Sequence, residues 1–204
     1  MGADQGEANL APATLSAGSV KGTKIDAGRL WTRISRLGPK YFSNDPDVRF
    51  ATPGIPGGCL YLGEDSVTCF WEVFNGTITG VGTELRISKT KITDRKIHLG
   101  KLKRTIEVFD VANAANMVRI GANVVGCFNG SYKIARGWAE LLYKSHPTLD
   151  GIRFPSARAG GGTNLALFGG RVQPADIEFK PDATDLLADP DIARLMLTVD
   201  IGQI

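Results

Sequence analysis

The chain has 204 residues, of which 43% are hydrophobic and 22% are charged, and its formal net charge at pH 7 is +3. These values are typical of one soluble globular domain that needs neither a disulfide nor a metal to hold its core together, and the small net charge gives no indication of nucleic acid as a direct partner. Three cysteines without a C-x-x-C pair and two histidines offer no zinc-ligand spacing, so no metal is expected.

Residues 1–25 are rich in Ala, Gly and Ser and are predicted to form a flexible N-terminal arm, which leaves residues 26–204 as the domain. The arm has no apolar segment behind a basic start, so it does not resemble a signal peptide. No later segment is long and apolar enough to span a bilayer. We therefore expect a cytoplasmic protein without membrane contact.

The first half of the domain alternates short strands with one long loop. "LWTRIS" (30–35) predicts a strand, and the Pro- and Gly-rich residues 38–58 predict a loop. Because this loop is long and carries aromatic side chains beside Arg49, we expect it to be ordered and functional. "CLYLG" (59–63) predicts the next strand.

A helix is predicted directly after this strand. Apolar residues recur at positions i, i+3, i+4 and i+7 up to Phe74, and Asp65 or Ser66 can cap the first turn. Glu72 lies on the side of the helix opposite to the apolar stripe. It is therefore expected to face away from the main core.

The remaining elements mix strands and helices without a regular alternation, which predicts the α+β class. Trp71 and Trp138 are expected in the core, and His98 and His146 at the surface. Further strands are predicted at "TELRIS" (83–88), "RKIHLG" (95–100), "TIEVFDV" (105–111), "GIRFP" (151–155), "NLALF" (164–168) and "DIEFK" (176–180), and helices at "YKIARGWAELLYKS" (132–145) and, on both sides of Pro190, at "ATDLLADPDIARLML" (183–197).

The segment "GIRFPSARAGGGTNLALF" places a serine, an arginine and three glycines between two strands. Pro155 restricts the residue before it to extended geometry, so Ser156 presents its hydroxyl at a strand end, and Arg158 offers a planar fork suited to phosphate. The glycines match neither a P-loop nor a dinucleotide-binding turn, and the serine is not in a G-x-S-x-G elbow.

Several motifs together resemble one family. The arginine in "LWTRIS", the "RF" pair in the loop, "LYLG" followed by a helix with "FWEVF", and "DGIRFPSAR" with "NLALF" occur in an order that resembles the RES-domain family from about residue 30 to 168. The resemblance implies one α+β domain similar to the ADP-ribosyltransferases, with mixed sheets and flanking helices, that binds NAD as its substrate. It also implies a bacterial toxin whose partner is a cognate antitoxin of the Xre type, through which alone nucleic acid is contacted.

The resemblance assigns the site residues by position. The family's arginine falls on Arg33, its glutamate on Glu72 and its serine on Ser156, while Tyr61 and Arg49 match the strand tyrosine and the loop arginine. The implied reaction breaks the nicotinamide–ribose bond of NAD. Either Arg33 or Arg49 can then be the principal pyrophosphate ligand, and the resemblance does not decide between them.

The residue types fit this chemistry. Cleavage of the glycosidic bond builds positive charge on the ribose, which the carboxylate of Glu72 can stabilise. Arg33 or Arg49, with Arg158, can hold the pyrophosphate, Ser156 can orient the carboxylate or the ribose, and Tyr61 can stack on nicotinamide.

Three functions remain open at this stage. The first is an NAD phosphorylase or glycohydrolase, with inorganic phosphate as co-substrate in the former case. The second is an ADP-ribosyltransferase that modifies a protein. The third is a non-catalytic module that binds an anionic surface or nucleic acid through the basic segment 89–104.

Overall fold

The computed structural model describes residues 10–16, 18–45, 47–74, 76–79, 85–128, 131–156, 158–199 and 201–203. The predicted flexible arm lies partly outside this description, since residues 1–9 and 17 are not included. Residues 22–25, at the end of that predicted arm, form the first strand, so the sheet begins before the predicted domain boundary at residue 26.

The described residues form strands and helices without regular alternation, which confirms the α+β class. The strands are β1 (Gly22–Ile25), β2 (Leu30–Ser35), β3 (Cys59–Gly63), β4 (Leu85–Ile87), β5 (Lys96–Leu102), β6 (Ile106–Asp110), β7 (Gly151–Pro155), β8 (Thr163–Phe168), β9 (Ile177–Phe179), β10 (Thr184–Asp185) and β11 (Ile201–Gln203). The helices are α1 (Ser66–Phe74), α2 (Lys89–Thr93), α3 (Ala114–Ile120), α4 (Tyr132–Ser145) and α5 (Pro190–Thr198).

Within the described residues, one mixed sheet has the order β1-β6-β7-β8-β3-β2-β5-β10, and β9 also pairs with β5. The β6–β7 pair is parallel and the other neighbours in this sheet are antiparallel. A separate parallel pair joins β11 to β4. Each strand segment predicted from the sequence therefore contains a strand, and residues 83–84 of the predicted strand 83–88 lie outside the described residues.

The sheet opens between β2 and β3. Both strands are fully described, and they pair at one position, where Thr32 lies opposite Gly63. By contrast, β2 pairs with β5 along its whole length, and β3 pairs with β8 from Cys59 to Gly63. Beyond Thr32, β2 and β3 therefore share no ladder, and the space between them is available for side chains or a ligand.

Helix α1 follows β3 and packs on β2 and β3. Asp65 begins it, because its Oδ1 accepts a hydrogen bond of 2.6 Å from the Thr68 amide. Phe70 and Phe74 of α1 are fully buried. This burial fixes the rotation of the helix and directs Glu72 towards the opening between β2 and β3.

Alternating side chains of the central strands build a core on each face of the sheet. On one face Phe109, Phe154 and Phe168 pack with Trp138 of α4. On the other face Leu165 and Leu167 pack with Trp31 of β2. A third cluster lies between α1, α5 and the β4–β11 pair.

The two tryptophans expected in the core, Trp71 and Trp138, are buried, which confirms that prediction. The prediction of a surface His98 is wrong, since it lies on β5 opposite Arg33 and is 9% exposed. Its sequence neighbours, Ile97 and Leu99, are apolar, and β5 lies inside the sheet, paired with β2 on one side and with β9 and β10 on the other.

The prediction of a helix before Pro190 is also wrong. Residues 184–185 form β10 and residues 186–188 form one 3₁₀ turn, and only α5 after them is helical. Asp189 caps α5 by accepting from the amides of Asp191 and Ile192, with Pro190 at the first helical position. Among the described residues, no helix combines the length and apolar character needed to cross a bilayer.

Candidate functional site

A cavity of about 590 Å³ occupies the opening between β2 and β3. This volume is in the range of small-molecule sites. Its wall includes residues of β2, β3, β8, α1, the 38–58 loop and the first residue of α4. Six of its lining residues bring charged, phenolic or amide groups to the cavity: Arg33, Arg49, Tyr61, Glu72, Tyr132 and Asn164.

Glu72 and Arg49 face each other in this cavity. Arg49 Nε lies 3.9 Å from Glu72 Oε1, and the two side chains are 8% and 20% exposed, respectively. Arg49 Nη1 also donates to the carbonyl of Phe128 at 2.8 Å, and its guanidinium lies 5.3 Å from the ring centre of Tyr132. The long loop thus positions the guanidinium of Arg49, which these contacts hold in place, beside the carboxylate of Glu72.

Burial raises the pKa of the Glu72 carboxyl above its ordinary value of 4.5, and the positive charge of Arg49 opposes that rise. A carboxylate with limited access to water interacts more strongly with a developing positive charge than an exposed one does. Glu72 is therefore placed to stabilise a cation that forms inside the cavity.

Arg33 bridges the two sides of the opening. Its Nη1 donates to the carbonyl of Tyr61 on β3 at 2.9 Å, and its Nη2 donates to the carbonyl of Tyr41 in the loop at 2.6 Å. Burial lowers the pKa of the guanidinium to about 10, which leaves it protonated at neutral pH. Arg33 therefore fixes the loop to the sheet while its side chain lines the cavity.

Tyr61 also connects the loop to β3. Its hydroxyl accepts a hydrogen bond of 2.9 Å from the amide of Phe50, next to Arg49. Burial is the largest cause that raises the pKa of this phenol well above its usual value. The tyrosine is thus neutral, and it positions the loop segment that carries Arg49.

Ser156 and Arg158 are not among the described residues that line the cavity. The Ser156 hydroxyl accepts hydrogen bonds from the amides of Arg158 at 3.4 Å and Ala159 at 3.2 Å, and so closes the turn after β7. Arg158 is exposed, and its guanidinium lies 5.6 Å from the ring centre of Trp71, the neighbour of Glu72 on α1. The structure therefore brings four of the six predicted residues into one cavity and places the other two in a turn against α1.

The glycines of this turn have two different roles. Gly160 and Gly161 have φ values of +55° and +110°, which L-residues rarely adopt. Gly162 lies so close to α1 that a Cβ atom there would collide with Thr68 Oγ1. The glycines thus allow a tight turn that packs on the helix carrying Glu72.

Of these six cavity residues, Tyr132 and Asn164 are not predicted as site residues by the sequence. Tyr132 is 40% exposed at the start of α4, and nothing in its helical pattern indicated a contact with Arg49. Asn164 is 1% exposed on β8, where all six residues are buried. A polar residue inside an otherwise buried strand was the available signal for Asn164.

Three of the seven cations in the basic segment 89–104 are paired with carboxylates. Arg95 contacts Asp94 at 2.9 Å, Lys96 pairs with Asp185, and Arg104 contacts Asp150 at 2.7 Å. These pairs reduce the charge that the segment presents to an anionic surface. Across the described ranges, no group of three or more His, Cys, Asp or Glu side chains is arranged to hold a metal ion.

Comparisons with known proteins agree with this architecture. A family model described as the RES domain matches residues 26–189. A chain of the crystal structure of the M. tuberculosis MbcT–MbcA toxin–antitoxin complex superposes with a TM-score of 0.51, over 80% of this chain and 86% of that chain, at 15% identity. At this identity the likeness is one of fold. Among curated proteins no match was found.

Proposed function

The chain belongs to the RES domain family, whose model covers residues 26–189, and from this premise we propose that it is a toxin-type enzyme that cleaves the nicotinamide–ribose bond of NAD. The contact of 3.9 Å between Arg49 and Glu72 inside the cavity is the observation that carries the proposal. Within one cavity, Glu72 offers a carboxylate to a cationic ribose and Arg49 offers a guanidinium to a phosphate.

In the proposed reaction, the bond between ribose and nicotinamide breaks and the ribose acquires oxocarbenium character. Glu72 stabilises that charge, and its partial burial strengthens the interaction. Nicotinamide leaves as a neutral molecule from a cationic nitrogen, so no strong general acid is needed. An acceptor, either phosphate or water, then adds to the ribose.

Arg49 is proposed as the principal pyrophosphate ligand. Both terminal nitrogens of Arg33 donate to backbone carbonyls, which supports a positioning role for Arg33. Arg49 lies beside Glu72 and presents its guanidinium to the same cavity, where it can grip a phosphate oxygen. Ser156 acts indirectly, because its turn packs on α1. Tyr61 holds the loop that carries Arg49, and its ring can stack on nicotinamide.

The experiment is NAD consumption by the purified wild type and by Glu72→Gln, each with and without inorganic phosphate. We expect the wild type to consume NAD and the variant to lose at least about 100-fold in rate, as when an electrostatic stabiliser is removed. Glu178→Gln is the matched control, since Glu178 is exposed on β9 and is not among the cavity residues. ADP-ribose 1″-phosphate as product would identify phosphorolysis, and ADP-ribose would identify hydrolysis. Equal consumption by wild type and Glu72→Gln would refute the role of Glu72.

A second candidate, transfer of ADP-ribose to a protein, is favoured by the apolar side chains around the cavity mouth. Leu37, Tyr41 and Tyr132 all line the cavity and are 60%, 45% and 40% exposed. Such a patch can receive a protein that presents a nucleophile to the cavity. Labelled NAD incubated with a cell lysate distinguishes the two, because only the transferase leaves label on protein.

A cognate antitoxin, of the Xre type implied by the resemblance, is the proposed partner, with action in the cytoplasm where NAD is available. The superposed chain comes from a toxin–antitoxin complex, which supports this partner. Expression of the wild type alone should arrest growth and deplete cellular NAD, whereas expression of Glu72→Gln should do neither. Growth arrest with unchanged NAD would contradict the proposed target.

A further inference from the structure

Asn164 is a buried amide in the middle of the sheet. It lies on β8 opposite Gly63 of β3 and Phe154 of β7, and it is 1% exposed. The side chain nevertheless lines the same cavity as Glu72. It therefore meets the cavity from the sheet side, while Glu72 meets it from α1.

The amide nitrogen of Asn164 is buried and has no hydrogen-bond partner among the described residues. A buried donor without a partner lowers the free energy of unfolding, so such groups are rare in folded proteins. Asn116 provides a comparison, because it is equally buried on α3 but its Nδ2 donates to the carbonyl of Asp110 at 3.4 Å. The donor of Asn164 is thus unpaired at the wall of a cavity, where a ligand can supply the missing acceptor.

The surroundings of Asn164 place it next to the proposed reaction centre. Its Oδ1 lies 3.3 Å from the position of a Cβ atom on Gly63, and the same position lies 2.7 Å from Cys69 Sγ. Cys69 is one helical turn before Glu72 on α1, so the two residues lie on neighbouring parts of one helix face. Asn164 is therefore beneath the part of α1 that carries Glu72.

We propose that Asn164 Nδ2 donates a hydrogen bond to an acceptor oxygen of the nicotinamide riboside half of NAD, an assignment that rests on the proposed function. A neutral amide suits this position, because it holds the ribose without competing with Glu72 for the developing positive charge. The unpaired donor lowers the free energy of unfolding of the ligand-free protein, and substrate binding removes this destabilisation.

The test measures NAD affinity by calorimetry in the Glu72→Gln background, where NAD consumption is expected to be at least about 100-fold slower. Adding Asn164→Leu, which keeps the side-chain volume but removes the amide, should weaken NAD binding by roughly 10-fold to 100-fold. The melting temperature of the ligand-free protein should stay equal or rise, because no hydrogen bond is lost. Asn116→Leu is the matched control and should lower the melting temperature without changing NAD affinity.

A second variant, Asn164→Asp, keeps the shape and Oδ1 and removes the donor, and it should also weaken NAD binding. Unchanged NAD affinity in either Asn164 variant would overturn the assignment while leaving the proposed function intact. Failure of both variants to fold would show a structural role and would also overturn it. If Glu72→Gln itself binds no NAD and the wild type consumes none, the proposed function fails and the assignment fails with it.

Discussion

Arg49 Nε lies 3.9 Å from Glu72 Oε1, and this contact joins the long loop between β2 and β3 to helix α1. Both side chains are largely buried, so the pair is formed where charge is costly. Burial raises the pKa of Glu72, while Arg49 limits the rise. The cation that we assign to the pyrophosphate therefore also favours the ionised form of Glu72.

Glu72→Gln should reduce NAD consumption at least about 100-fold and at the same time leave the protein as stable or more stable at neutral pH. A carboxyl whose pKa is higher in the folded than in the unfolded chain binds protons more tightly when folded. Its ionisation therefore lowers the free energy of unfolding as pH rises through that interval.

Thermal melts of both proteins across pH check this prediction. The variant's advantage in melting temperature should be present at neutral pH and should disappear as pH falls towards 4.5, the ordinary value for glutamate. Glu178→Gln should show no such pH-dependent difference. A variant that is less stable than the wild type at neutral pH would mean that the Arg49 contact outweighs the burial of the charge.

Arg49→Gln should shift the acid limb of the pH profile of kcat/KM to higher pH. The positive charge of Arg49 opposes the burial that raises the pKa of Glu72, so its removal raises that pKa further. We also expect kcat/KM to fall by roughly 10-fold to 100-fold through the lost charge-assisted contact to phosphate.

The control for this profile is Arg153→Gln. Arg153 pairs with Asp110 at 3.0 Å outside the cavity lining, and its loss should lower stability without moving the acid limb. An acid limb in Arg49→Gln that coincides with the wild-type limb would show that Glu72 ionisation does not control catalysis.

Arg33→Lys should loosen the loop while the sheet stays folded. The guanidinium donates to the carbonyls of Tyr41 and Tyr61, and a single ammonium cannot reproduce this fork. We expect a loss of about 1–3 kcal/mol in the free energy of unfolding, because a buried carbonyl loses its donor. Hydrogen exchange should accelerate at the Ser43 amide, which bonds the Cys59 carbonyl at 2.8 Å.

Arg36→Lys is the comparison for this stability measurement, since the Arg36 side chain is 63% exposed. It should change the free energy of unfolding by no more than about 0.5 kcal/mol. If Arg33→Lys were equally neutral, the two carbonyl contacts of Arg33 would not be what holds the loop.

The parts of the site that could be predicted depend on local pattern and on the family resemblance. The helical repeat of apolar residues in α1 predicted both the helix and the direction of Glu72, because that repeat matches the buried face of the helix. The ordered set of motifs identified the RES family, which the family model confirms. Glu72 and Arg49 were both named, but their contact depends on the path of a long loop that no short-range pattern describes.

The parts that were missed depend on contacts between distant segments. Asn164 reaches the cavity because β8 pairs with β3 in one particular register, and a shift by one residue would turn its side chain to the other face. Tyr132 contacts Arg49 only because α4 begins beside the loop. The 3₁₀ turn before Pro190 replaced a predicted helix because β10 pairs with β5, a tertiary contact that overrides local propensity.

The turn after β7 is expected to affect the site through its packing on α1. A methyl group at Gly162 would collide with Thr68 Oγ1, so Gly162→Ala must displace either the turn or the helix that carries Glu72. We expect Gly162→Ala to lower both the melting temperature and the rate of NAD consumption. Thr68→Ala in the same chain should restore much of both, because it removes the atoms that collide.

Gly160→Ala separates this packing effect from backbone strain. Gly160 has a φ of +55° and open space around its Cα, so alanine there costs only the conformational preference, about 1 kcal/mol. Its NAD consumption should match the wild type at temperatures where it is folded. If Gly162→Ala also kept full activity, or if Thr68→Ala failed to rescue it, the turn would not control the position of Glu72, and its glycines would serve only to connect β7 with β8.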